Sequence, residues 1–133
     1  MPQCIKIKTK KRQLCTGDFE HEITLYDRTI STDNDGDVDY ELTFENGIFA
    51  WAAIDTLAKG LDVFDGANLV GVATHIFYIQ HIDGLTSEKW IQFDSRNFDI
   101  LSVENLDERK EFQALYCNER GNNSYKTNFK GNQ

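Results

Sequence analysis

The chain has 133 residues, of which 40% are hydrophobic and 27% are charged, with a single proline. This composition is ordinary for one globular domain with its own core, and it excludes disordered, collagen-like and disulfide-dense classes. The longest apolar runs are only a few residues, far short of the roughly 20 that span a bilayer. We therefore expect one domain with tails and no membrane partner.

Charge is distributed unevenly. The first 15 residues contain five basic side chains and no acidic one, which leaves nine basic against 22 acidic residues in the remainder, a net charge of −13. An acidic body repels polyanions, so ordinary nucleic-acid binding is disfavoured. The basic arm is compatible with binding to DNA, with binding to an acidic neighbouring subunit, or with a solvated tail. Its basic residues are Lys6, Lys8, Lys10, Lys11 and Arg12.

The three cysteines predict free thiols. Their odd number and their spacing fit neither a disulfide framework nor a zinc knuckle. Cys117 lies in an apolar strand pattern and is predicted to be a small core residue, whereas Cys4 and Cys15 fall in the N-terminal arm. The N-terminus has no apolar export segment, so we expect synthesis and retention in the cytoplasm.

Apolar and polar residues alternate with a period of two along most of the chain, which predicts β-strands. A turn rich in Asp, Asn and Gly joins the first two strands, and Asp94-Ser95-Arg96 joins the fifth and sixth. The pattern predicts an all-β fold, a small antiparallel β-barrel or sandwich of about six strands. The predicted strands lie at about 19–30, 38–45, 47–55, 72–82, 89–93, 97–103 and 111–118.

Residues 56–71 interrupt this pattern. Their apolar side chains have loosely helical spacing, but Gly60, Gly66 and Gly71 break it, so we predict a long loop with at most one short helix. The residues after Gly121 are rich in Asn, Lys and Gly and are predicted to be disordered. The predicted organisation is a basic arm at 1–16, a β-barrel domain at 17–121 and a flexible tail at 122–133.

No pattern of residues predicts catalysis, a metal site or a cofactor. An Asp-rich turn resembles a calcium loop, but with Gly36 at the invariant glycine, Ser31 and Leu42 stand where two ligands belong. His75 and His81 share one face of a predicted strand, where a spacing of six residues, about 20 Å, is too long for one ion. Motifs for an activated nucleophile, zinc or phosphate are missing from the sequence. We predict that the protein is not an enzyme.

The aromatic residues, 12% of the chain, are predicted to fill the core, because most stand at apolar strand positions. Exposed aromatics on a small barrel can instead stack nucleic-acid bases. An OB-like or SH3-like nucleic-acid module, or a small metal-binding β-domain, therefore remains the alternative function. The residues predicted to be buried are Phe44, Trp51, Phe77, Phe93, Phe98 and Phe112.

Several short segments occur in a characteristic order and spacing: WAAI at 51–54, THIFYI at 74–79, GLT at 84–86, FDSRNFDILSVEN at 93–105, DER at 107–109 and LYCNERG at 115–121. Together they resemble the tailed-phage head-tail joining family, also called head-closure or stopper proteins. The sequence departs from the family at Ser95, where glycine is common, and at Gln80 and His81, where the family has arginine-containing positions.

The resemblance implies a structural virion protein of the head-tail connector, built as a small β-barrel. It implies a ring, expected to be a dodecamer, that forms beneath the portal or adaptor protein after DNA packaging and receives the tail or a tail-completion protein below. Genomic DNA would pass through the lumen, where an acidic lining repels its phosphates. The implied location is the virion.

The resemblance also places residues 55–72 at the family's loop that points toward the channel. We expect its apolar side chains either to meet across the ring and close the channel or to pack on a neighbouring subunit. The alternative is a loop folded onto its own barrel. The candidate channel residues are Leu57, Gly60, Leu61, Val63, Phe64, Gly66 and Leu69, and the candidate partner contacts are the five basic residues of the arm with Asp33, Asp35 and Asp37.

Overall fold

The structure is a computed structural model that describes residues 4–7, 12–32, 38–42, 44, 46–108 and 111–120. These residues are almost all β, with 3₁₀ turns at Thr16–Asp18 and Leu106–Glu108, and they contain no α-helix and hence no helix able to cross a membrane. The predicted all-β class is confirmed. The strands in chain order are β1 (Cys4–Ile7), β2 (Arg12–Cys15), β3 (His21–Thr32), β4 (Val38–Leu42), β5 (Ile48–Asp65), β6 (Asn68–Gln80), β7 (Lys89–Phe93), β8 (Arg96–Asn105) and β9 (Phe112–Arg120).

Six strands form one antiparallel sheet that closes into a ring. Their order is β3-β5-β6-β9-β8-β7, and β7 pairs in turn with β3, where Asp27 lies opposite Lys89. The Lys89 Nζ atom lies 2.5 Å from Asp27 Oδ1, so an ion pair joins the closing strands. The predicted small barrel of about six strands agrees with this closed sheet. β4 extends β3 beyond the ring, and β1 and β2 form a separate hairpin.

Apolar side chains form two layers, one inside the ring and one on the outer face of β5, β6 and β9. Successive side chains of a strand point to opposite faces, so Phe77 lies in the inner layer and Tyr78 in the outer one. Burial on both faces explains why β6 reads as a continuous apolar run rather than an alternation. The inner layer includes Ile23, Leu25, Phe77, Ile79, Ile91, Phe98 and Leu115, and the outer layer includes Leu14, Ala53, Ala73, Tyr78, Leu106 and Ala114.

The turn between β7 and β8 is the one that the sequence predicts. Asp94 and Ser95 form a two-residue connection with φ angles of 53° and 60°. Hairpins of this length favour positive φ, which is accessible to glycine and strained for serine. Ser95 therefore stands at a position where the backbone itself favours glycine.

The predicted long loop at 56–71 is wrong. β5 continues to Asp65 and β6 begins at Asn68, so most of this segment is a β-hairpin closed by Gly66 and Ala67. Gly60 does not end the strand, because it lies in an irregularity of the pairing between Thr56 and Leu61, where its φ is 73°. Glycine is typical of such bulges, which bend a strand without ending it.

Two of the six aromatic residues predicted to fill the core are instead exposed. Phe77 and Phe98 are buried, and Phe93 and Phe112 are partly buried against the apolar layers. Trp51 is 47% exposed and Phe44 is 67% exposed. Trp51 lies two residues before Ala53 on the same side of β5, at the edge of the outer apolar layer, and alternation alone does not distinguish this edge from the centre of the layer.

Candidate functional site

The most prominent surface feature is the distal hairpin, which we define as residues 57–72 of β5, β6 and their turn. At its tip Phe64 lies opposite Leu69, and Asp65 opposite Asn68. Gly66, the first residue of the two-residue turn, has a φ of 65°. A positive φ at this position is typical of tight hairpin turns, so glycine fits it without strain.

The distal hairpin carries exposed apolar side chains on both of its faces, because Leu61 lies opposite Ala73 whereas Val72 lies opposite Asp62. Four of the predicted channel residues are exposed: Gly66, Leu61 at 43%, Phe64 at 56% and Leu69 at 56%. Val70 and Val72 are also exposed, and the sequence analysis missed them because they were assigned to the loop and the following strand. Five large exposed apolar side chains on one hairpin are more than the singly scattered ones that are normal on a surface, which favours an interaction surface.

The base of the distal hairpin is anchored on its own barrel. Val63 is buried in the outer apolar layer, and Leu57 packs against that layer. Gly71 lies so close to Leu101 of β8 that a Cβ atom there would be 3.2 Å from two Leu101 methyl carbons. The apolar side chains among the predicted channel residues therefore fall into two groups: Leu57 and Val63 pack on the barrel, whereas Leu61, Phe64 and Leu69 are exposed.

The N-terminal arm is a hairpin bound to the barrel and not a simple tail. β1 pairs with β2 in a register that sets Cys4 opposite Cys15, and the two cysteines form a disulfide. The prediction of free thiols is wrong for this pair, because antiparallel pairing brings residues together whatever their spacing in sequence. Leu14 is 1% exposed and packs in the outer apolar layer. Cys117 is free and buried, as predicted.

The predicted partner contacts are only partly within the described residues. Lys6 is exposed on β1, and Arg12 begins β2. Lys8, Lys10 and Lys11 lie outside the described residues, as do Asp33, Asp35 and Asp37 and the tail at 122–133. The structure does show that the Asp-rich segment connects β3 to β4, which are paired as the sequence predicts.

A buried polar cluster, not found in the sequence analysis, lies around His75. Arg96 Nη2 donates to His75 Nε2 at 3.3 Å, so the neutral ring carries its proton on Nδ1, which is 2.9 Å from Thr74 Oγ1. Arg96 also forms a two-pronged ion pair with Glu119, with both distances 2.9 Å. Burial, and then the charge of Arg96, lower the pKa of His75 below its usual value. The cluster links β6, β8 and β9, and it disfavours protonation of His75.

A second ion cluster joins three strands through one carboxylate. Arg120 Nη2 lies 3.0 Å from each Asp99 oxygen, and Arg28 Nη1 lies 3.6 Å from Asp99 Oδ1. These side chains are about four-fifths covered, so the pairs are screened less than surface pairs. Asp99 thus connects β8 to both β3 and β9. The part of the chain that the structure describes contains no group of three or more His, Cys, Asp or Glu residues able to hold a metal ion.

Comparison with known proteins agrees with the resemblance found in the sequence. The family model described as phage head completion protein matches residues 14–120, which include Leu14 and the whole closed sheet. A chain from a solved structure titled "Virion of native gene transfer agent (GTA) particle" is similar, with a TM-score of 0.50 and 13% identity over 76% of this chain and 94% of that chain. No curated protein matches. The chain therefore belongs to the phage head completion protein family, and it is a structural protein of the phage head.

Proposed function

We propose that the protein joins the DNA-filled head to the tail and helps to close the DNA channel after packaging. The observation that carries this proposal is the family match across residues 14–120. The structural neighbour comes from a gene transfer agent virion, which supports a place in a particle of this kind. The proposed activity is assembly through shape and interfaces, without catalysis or a cofactor.

The proposed assembly is a ring, expected from the family to contain twelve copies, between the portal or adaptor protein above and the tail or tail-completion protein below. The protein would be made in the host cytoplasm and carried in the virion. The net charge of −8 supports a DNA-conducting role, because a negative lumen repels phosphate and releases no counterions on contact. The same charge disfavours the alternative of a nucleic-acid-binding module.

The distal hairpin is the proposed channel element. The packing of Leu57 and Val63 on the barrel would fix its direction, while the exposed Leu61, Phe64 and Leu69 would contact other copies in the ring or a neighbouring subunit. These three side chains are about half exposed, so burying them would stabilise a contact by roughly 1 kcal/mol each. We propose the N-terminal hairpin and the Asp-rich connection between β3 and β4 as contacts to partner proteins.

The test is a phage that lacks this gene, imaged by electron microscopy with and without added purified protein. The proposal predicts free tails beside unjoined heads, and joined particles after addition of the protein. Phe64→Ser with Leu69→Ser is expected to join heads to tails and yet release DNA early, whereas Lys59→Gln, a polar change on the same hairpin, is expected to behave as the parent. Normal infectious particles without the gene would refute joining, and normal DNA retention with the double variant would refute the channel role.

A further inference from the structure

An aromatic cleft opens on the outer face of the barrel, at the end where β5 begins, β6 ends and β9 begins. It has a volume of about 730 Å³. Phe49 and Trp51 form one wall, with ring centroids 5.6 Å apart, and Phe19 and Phe112 form another, with centroids 5.3 Å apart. Phe49 is 55% exposed and Trp51 47% exposed, so the cleft continues the outer apolar layer without a covering element among the described residues.

Two carboxylates, Glu22 and Glu111, lie beside the aromatic cleft together with Gln80 and His81, and no lysine or arginine is among the described residues that line it. Glu22 lies directly opposite Trp51 in the β3–β5 pairing and is exposed. Directly opposite residues share one face of a sheet, so this carboxylate stands beside the indole. Glu111 and His81 also line the cleft. An occupant with apolar or aromatic side chains and positive charge would match this lining.

We propose that the C-terminal segment 121–133 of the same chain occupies the aromatic cleft. This segment contains two aromatic and two basic residues and no acidic one: Tyr125, Lys126, Phe129 and Lys130. An aromatic ring at the cleft would gain an edge-to-face or stacked contact, and a lysine beside Trp51 a cation-π contact. The proposal does not rest on the head-tail joining function.

The C-terminal segment is long enough to run back from the end of β9 to the cleft. Residue 121 follows Arg120, which ends β9, whereas Phe112 at the cleft begins β9, about 27 Å away at about 3.4 Å per residue. Phe129 follows Arg120 by nine residues, an extended reach of about 30 Å. A segment that runs back along β9 therefore brings Phe129 to the level of the cleft.

The two tryptophans provide the test. Trp90 is 0% exposed and packs against Tyr26 and Phe44, away from the cleft, whereas Trp51 lies in the cleft. Full-length protein labelled with 5-fluorotryptophan should therefore give one fluorine resonance that reports on the cleft and one reference resonance from Trp90. We expect Phe129→Ala with Tyr125→Ala to shift the Trp51 resonance and to increase its sensitivity to D₂O and acrylamide. Trp90 should not change, and neither resonance should move in the matched control Asn122→Ala with Asn123→Ala.

Charge and concentration provide two further measurements. Lys126→Glu with Lys130→Glu should move the Trp51 resonance in the same direction as the aromatic variant, because Glu22 then repels the segment. The difference in the Trp51 resonance between parent and variants should persist on tenfold dilution, because each chain fills its own cleft. A Trp51 resonance that is the same in parent and aromatic variant, or a difference that disappears on dilution, would overturn the proposal.

Discussion

Leu14→Ala tests whether the N-terminal hairpin is part of the folded domain. Leu14 is 1% exposed and belongs to the outer apolar layer, which also contains Ala53, Tyr78 and Ala114. Truncating a buried leucine to alanine costs about 2 to 5 kcal/mol, since the transfer free energy is lost and a cavity remains. The hairpin would otherwise be a solvated arm, for which a surface substitution changes the free energy of unfolding by at most about 0.5 kcal/mol.

The magnitude can be measured by thermal and urea unfolding. For 133 residues the entropy of unfolding is about 280 cal/mol/K, so a loss of about 3 kcal/mol lowers Tm by about 11 °C. The urea midpoint should fall with little change in slope, because the same surface is exposed on unfolding. Lys6→Ala, an exposed change on β1, is the control and should leave both midpoints within error. A loss below about 0.5 kcal/mol for Leu14→Ala would refute the integrated hairpin.

Four further predictions concern individual contacts. Ser95→Gly should stabilise the protein by about 1 kcal/mol, because glycine adopts the positive φ of 60° without strain. The control Ser102→Gly, within β8, should destabilise it, and chemical denaturation compares the two variants. A lower free energy of unfolding for Ser95→Gly would contradict the turn geometry. Gly60→Ala should destabilise more than Gly66→Ala, because both have positive φ but only at Gly60 would the Cβ atom lie 2.6 Å from Val72; equal midpoints would contradict this. Replacing Cys4 and Cys15 by serine should lower the free energy of unfolding by about 3 kcal/mol, the value expected for the short loop that their disulfide closes. The parent protein, unfolded without reduction, should take up one thiol label, at Cys117, whereas three labels would show that no disulfide forms. The pKa of His75 is lower in the folded than in the unfolded state, so the unfolded chain binds more protons and the free energy of unfolding should fall as pH drops from about 6.5 toward the folded pKa. His75→Gln should remove this part of the pH dependence, as measured by urea unfolding at several pH values. A variant with the same pH profile as the parent would contradict the prediction.

Much of the barrel follows from the sequence because half-buried strands alternate. The β3–β4 and β7–β8 hairpins, including the strained turn at Ser95, were predictable from alternation and turn residues. The distal hairpin could not be predicted in this way. Gly60 suggests the end of a strand in the sequence, but in the structure it lies in a β-bulge within the paired strands.

Features that depend on contacts between residues far apart in the sequence could not be predicted from local sequence patterns. The pairing of Cys4 with Cys15 requires the β1–β2 register, and burial of Leu14 requires the outer face of a sheet formed by later strands. The exposure of Trp51 likewise depends on which elements reach one end of that face, which alternation along β5 does not show. The polar cluster around His75 is a comparable case. Its partner Arg96 lies on β8, so the histidine on β6 does not by itself predict the cluster.

The most direct test of the proposed head-tail role is a cryo-electron microscopy map of the intact virion with bound tail. The proposal predicts a ring of closed six-stranded barrels between the portal or adaptor and the tail, with the distal hairpins directed toward the DNA channel. A virion in which this fold is found only in the capsid shell or the tail, with no copy at the junction, would contradict it.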